Sequence, residues 1–202
     1  MKKYMVSVLL LAGPLGPAYA ATYDIDAAHS AVTFKVAHMA ISKVSGRFDK
    51  FTGSLEFVPG DTKAWKAEAS IETASINTNV EARDKHLRAA DFFDAEKFPA
   101  ITFKGLKVTN YKNMKGKLHG ELTMHGVTKP VVLDVQGSGP AIDPWGGERL
   151  AAVATTTINR KDFGLTWNKV LETGGLLVGE TVEITLEIEA VKRKPAEPAN
   201  EK

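Results

Sequence analysis

Five histidines, His29, His38, His86, His119 and His125, are the side chains of this 202-residue chain best suited to acid–base or metal chemistry. No pair has the H-x-x-x-H spacing of a helical zinc site. His119 and His125 fall on the outer face of one expected strand, six residues and so about 20 Å apart, too far to share an ion. Asp84 and His86 pair an acid with a base, but positions i and i+2 of a helix point apart. Their expected role is to cap and anchor that helix. Arg160 and Asp162 are read as fixing a loop. The chain has no cysteine, which excludes a disulfide scaffold, a thiol nucleophile and thiolate-bound metal. No nucleophile elbow or phosphate loop is present either. The reading is therefore no catalytic residue, no metal and no cofactor.

Charge adds little. The formal net charge is +2, and both excess charges are Lys2 and Lys3. Without them the chain is neutral, so nucleic acid is not an expected partner. Those two lysines open a segment that reads as a secretory signal peptide. An apolar run from Met5 to Ala12 follows, then Gly13, Pro14, Gly16 and Pro17, then Ala18-Tyr19-Ala20 as a peptidase site. The run is too short to span a bilayer, which takes about 20 apolar residues. Cleavage after Ala20 and a periplasmic location are expected, with no transmembrane segment in the remainder.

The elements that must position any site are strands. Val32, Phe34 and Val36 alternate with polar neighbours; from Val44 to Val58 the alternation slips between Phe48 and Phe51, which predicts a bulge near Asp49-Lys50. Further runs of period two are Ala67–Ile71, Ile101–Phe103, Met114–Met124, Val131–Val135 and Val182–Ala190. Leu150–Asn159 fits helix or strand and is taken as a strand from its neighbours. One stretch, Val80–Ala89, has helix formers and no alternation, with Asn79 as its expected cap. This makes an all-β chain of about eight antiparallel strands, with one short helix between the third and fourth. Long strands in this number favour closure into a barrel, which leaves no exposed edge. Residues 21–191 form the expected domain, and 192–202 a disordered charged tail.

A barrel of eight strands either fills with side chains or holds one small ligand. Small inward positions, Ala67, Ala69, Gly116, Gly120, Ala152 and Ala154, suggest room; the phenylalanines are large enough to fill it. The pattern alone leaves a solid and a hollow barrel equally open. For a hollow one the candidate lining residues begin with Phe34, Val36, Phe48, Phe51, Leu55, Phe57 and Ile71. They continue with Phe103, Leu118, Leu122, Met124, Leu133, Ile184 and Leu186. Phe92, Phe93, Phe163, Leu165 and Trp167 flank the helix and a long loop, and are expected to shape an entrance.

Several blocks carry a resemblance. They are Tyr23-Asp24-Ile25-Asp26, His29-Ser30, Gly46-Arg47-Phe48, Phe51-Thr52-Gly53-Ser54-Leu55 and, most specific, Arg83-Asp84-Lys85-His86-Leu87-Arg88 with Asp91-Phe92-Phe93-Asp94 and Phe98-Pro99. Gly120–Pro130, Ile158-Asn159-Arg160 and Asp162-Phe163-Gly164-Leu165 complete the set. Together they resemble the YceI-like family over nearly all of Ala21–Val191. The resemblance implies an extended lipocalin-like antiparallel barrel. It implies a periplasmic protein that binds, stores or transports a long-chain isoprenoid or related lipid, of quinone or polyprenyl type, often as a homodimer. Two alternatives stand beside it: an enzyme acting on such a lipid with His86 or His38 at the mouth, and a solid barrel serving as a partner-binding module.

Overall fold

The computed structural model describes residues 20–172 and 174–194. The expected signal peptide, but for Ala20, and the end of the expected tail lie outside the described residues. Eleven strands form one antiparallel sheet: β1 (Ala21–Ile25), β2 (Ala31–His38), β3 (Ser42–Phe48), β4 (Phe51–Phe57), β5 (Lys66–Glu72), β6 (Ile76–Asn77), β7 (Ala100–Lys112), β8 (Lys115–Met124), β9 (Val127–Ile142), β10 (Glu148–Asn159) and β11 (Val178–Lys192). The single α-helix among the described residues, α1 (Glu81–Arg88), lies between β6 and β7.

The sheet order is β1-β4-β5-β7-β8-β9-β10-β11, and β1 pairs again with β11, which closes the ring. The remaining three strands extend others. β1 and β2 lie end to end along β11, with Ile25 opposite Ala190 and Ala31 opposite Glu187. β3 and β4 lie end to end along that broken stave, and β6 continues β5 to pair with β3. The barrel therefore has eight staves, three of them broken. Polar groups satisfy the backbone at each break. Asp26 accepts from Ala28 N at the first; Asp49 N donates to Ser75 O, and Glu72 N to Lys50 O, where the second and third breaks meet. The slip expected at Asp49-Lys50 is the second of these. Closure leaves the barrel without a free edge along the ring.

Details depart from expectation where local patterning is silent. The Tyr23 segment, too short to show a period, is β1. Gly139-Pro140, a dipeptide typical of turns, lies inside β9, and the turn comes at Asp143–Gly147. Met114 belongs to the β7–β8 turn: Asn113 and Met114 have φ of 51° and 62°, as a two-residue hairpin that follows the sheet twist requires. The helix has Val80 rather than Asn79 as its N-cap, with no capping side chain. Asn79 is instead held at φ 62°. The tail begins later than expected: Lys192 ends β11, and Arg193 donates to Thr22 O and pairs with Asp24.

Candidate binding cavity

Side chains on the inner face come from every stave, because period two turns alternate residues of each strand toward the axis. They enclose a cavity of about 350 Å³, within the range of small-molecule sites. The barrel is hollow. Its wall is almost wholly hydrocarbon: Phe34 and Val36 from β2, Leu55 and Phe57 from β4, Leu118 and Leu122 from β8, and Ile184 and Leu186 from β11. Phe48, Phe51, Ile71, Phe92, Phe93, Phe103, Met124, Leu133 and Leu165 line it as well.

Two of the candidate residues do not. Phe163 is 2% exposed and packs in the core that closes the α1 end, and Trp167 lies outside the wall, against His86 and Phe92. The α1 end is not an open rim. Phe92, Phe163 and Leu165 are all buried, and the last two lie in one cluster with Phe48, Phe51 and Ile76. Spacing placed these residues beside a loop, but it is the fold that carries the loop over the barrel end.

The small inward residues behave in two ways. Ala67, Ala69, Gly116, Ala152 and Ala154 face the cavity. Gly120 does not leave room there: a Cβ at this position would sit 2.5 Å from the Phe103 ring, which occupies the space. Phe34 covers Gly46 in the same way, at 2.3 Å. These rings lie across the glycines of neighbouring strands, so part of the volume freed by small residues is taken by phenylalanine.

At the end opposite α1 the wall is aromatic and looser. Trp65 donates its indole N–H to Val58 O at 2.7 Å, and its ring stands 4.9 Å from Phe57 and 4.8 Å from Tyr111. Trp65, Tyr111 and Met114 all line the cavity, and the last two are exposed. Met114 opens the period-two run Met114–Met124, whereas Trp65 and Tyr111 were not singled out by periodicity, since they sit beside turns.

One charged side chain stands out in the wall. Arg160 is 4% exposed and lines the cavity. It donates from Nε to Gly179 O at 2.8 Å and from Nη1 to Leu165 O, with a long contact of 3.5 Å from Nη2 to Val178 O. These bonds fix the segment after β10 against β11, as expected of a loop anchor. Burial pulls its guanidinium below the usual value, partly offset by the Glu180 charge. Its place on the wall was legible in principle: Ala154, Thr156 and Ile158 face inward, and period two continues to Arg160.

The other candidate chemistry resolves into structure. Asp84 is buried and accepts from Thr78 N at 2.9 Å and from the Thr78 hydroxyl. His86 Nε2 lies 2.6 Å from Asp91 Oδ2, so the two side chains of that pair have different partners. His38 ends β2, His119 bonds Thr109 Oγ1 at 2.9 Å, and His125 packs on Phe98. Asp26, His29 and Glu189 bring ligand atoms within 4.8 Å of one another. Arg149 already occupies that group, donating to Asp26 at 2.9 Å, to Glu189 at 2.6 Å and to Asp143 at 2.9 Å. Hydrogen bonds from His29 and then Arg149 hold the Asp26 carboxyl down at about 2.

A YceI-like domain is matched over residues 23–190. The chain belongs to the YceI-like family. A UPF0312 protein of Vibrio cholerae is 41% identical over 169 residues, covering 82% of this chain and 89% of the relative. The YceI protein of Campylobacter jejuni is 30% identical, with a TM-score of 0.67 over 96% of this chain and 100% of that one. A domain of Saccharophagus degradans, described as polyisoprenoid-binding and implicated in plant cell wall breakdown, shares the fold. It has 16% identity and a TM-score of 0.61, covering 87% of this chain and all of that one. The closed antiparallel barrel is thus the YceI fold.

Proposed function

We propose that this chain binds, stores or carries a long-chain isoprenoid or related lipid, of quinone or polyprenyl type, in the lumen of its barrel. The reading places it in the periplasm, after removal of residues 1–20 as a signal peptide. One observation carries it: the barrel encloses a cavity walled by aliphatic and aromatic side chains from every stave. An isoprenoid chain has no hydrogen-bonding groups, and such a wall asks for none. Each buried methylene stabilises the complex by about 0.8 kcal/mol before ordering costs. The polyisoprenoid-binding description of the Saccharophagus degradans domain supports the same class of ligand.

The test is mass spectrometry of an organic extract of the purified protein, followed by melting of delipidated and reloaded samples. Ligand at 100 times its Kd should raise stability by about 2.7 kcal/mol. Leu122→Ala sharpens the result, since Leu122 lines the lumen from mid-β8. In a filled core this change costs about 2–5 kcal/mol. Facing a cavity it should cost the delipidated protein less and weaken the lipid complex. If added isoprenoid leaves the melting temperature of the wild type unchanged, the reading fails.

A further inference from the structure

An arginine in a hydrocarbon wall needs an explanation beyond anchoring a loop. A guanidinium carries five N–H groups, and Arg160 places three of them on Leu165, Val178 and Gly179 carbonyls. Two are left without an acceptor among the described residues. No carboxylate there forms an ion pair with it; the nearby Glu180 pairs with Lys161. A buried charge held only by neutral carbonyls is costly, and an added acceptor relieves that cost.

We propose that Arg160 is the head-group site of the lumen. It receives an oxygen acceptor at the end of the apolar chain, best an anionic carboxylate or phosphate. The ligand then lies with its head beneath β10 and its tail toward Trp65 and Tyr111. Guanidinium geometry suits this role, since it offers paired N–H groups to two oxygens of one anion. From Val178 to Ile188, both on the wall, the lumen follows β11 for about 30 Å. That length accommodates an extended chain in a single orientation set by the charge. This inference rests on the lipid-binding reading and adds to it a head group and a direction.

The experiment uses the delipidated full chain and three C20 probes with a common isoprenoid tail: geranylgeranoic acid, geranylgeraniol and the parent hydrocarbon. Affinity should fall in that order, with the acid about tenfold or more tighter than the hydrocarbon. Arg160→Met should level the series, and Arg160→Lys should restore part of the preference for the acid. Because Arg160 also anchors a loop, orientation is read independently in the wild-type site. In a Trp145→Phe background, a quenching nitroxide placed near the tail end of a fatty-acid probe should quench Trp65 more than Trp167. A nitroxide near the carboxyl should do the reverse. Equal binding of the three probes, or the opposite quenching pattern, overturns the Arg160 assignment and leaves the lumen as a lipid site. Failure of every probe to bind overturns both.

Discussion

The two ends of the barrel are built on different principles. At the α1 end, Phe48, Phe51, Phe92, Phe163 and Leu165 are packed like an ordinary protein core, and a helix and a loop complete it. At the other end, Tyr23, Leu150 and Ala190 form a small buried cluster, while Tyr111 and Met114 stay exposed beside a half-buried Trp65. The outside of this second end is held by charge: Arg149 bridges Asp26, Asp143 and Glu189, and Glu148 takes hydrogen bonds from Tyr23 and Lys192. One end thus carries the stability of the fold, and the other keeps aromatic side chains free enough to adjust. A cavity between them can admit a ligand at the loose end without opening the core.

The largest effect should follow from damage to the packed end. Phe163→Ala removes a ring that is 2% exposed and should cost about 3–5 kcal/mol in urea denaturation. Trp65→Ala at the loose end should cost roughly half of that or less, because the ring is only partly buried. If the two variants lose equal stability, the distinction between the ends disappears. Trp65→Ala should also speed lipid exchange, which stopped-flow fluorescence of a loaded probe would register; Phe163→Ala should not do so in proportion to its larger destabilisation.

The smallest effect concerns acid. The Asp26 carboxyl is held at about 2 by His29 and Arg149, below the unfolded value of about 3.9. The folded state thus binds fewer protons at this site than the unfolded state. Its contribution is complete above pH of about 4 and is lost as pH falls toward 2. Melting temperature should therefore drop through that window, and Asp26→Asn should flatten the drop. An unchanged slope in the variant would remove the charged belt from the account of the loose end.

How much of this was legible in the sequence follows from the same contrast. Where one face of a strand is buried and the other wet, period two is written plainly, and Val32–Val36, Met114–Met124 and Val182–Ala190 could be read as staves. Closure into a barrel followed from strand length and number. The kinks were less visible: Asp49-Lys50 betrayed itself as a slipped alternation, whereas Ala21–Ile25 was too short to register. Trp65 and Tyr111 escaped because a residue near a turn reaches the lumen by the path of the chain rather than by its parity. Phe163 and Trp167 misled for the same reason. They stand near a loop in sequence, and only the fold decides whether such a loop rims an opening or plugs it. Arg160 had the right parity but the wrong chemistry for an apolar face, so pattern reading assigned it to a loop.

The pairing of β1 with β11 has a consequence for how the chain assembles. Tyr23 lies opposite Lys192, and Arg193 reaches back to Asp24 across 169 positions. β11 is also the partner of β2 and of β10, so three neighbours wait for one late segment. During synthesis β1 and β2 find β4 and β3 early, but their second partner, β11, follows more than 120 residues after β4. Contacts of this range are slow to form, because their loop-closure entropy falls due before any ladder repays it. The barrel is in this sense zipped from its last strand, and until β11 docks its apolar inner faces stay open to whatever surrounds the nascent chain.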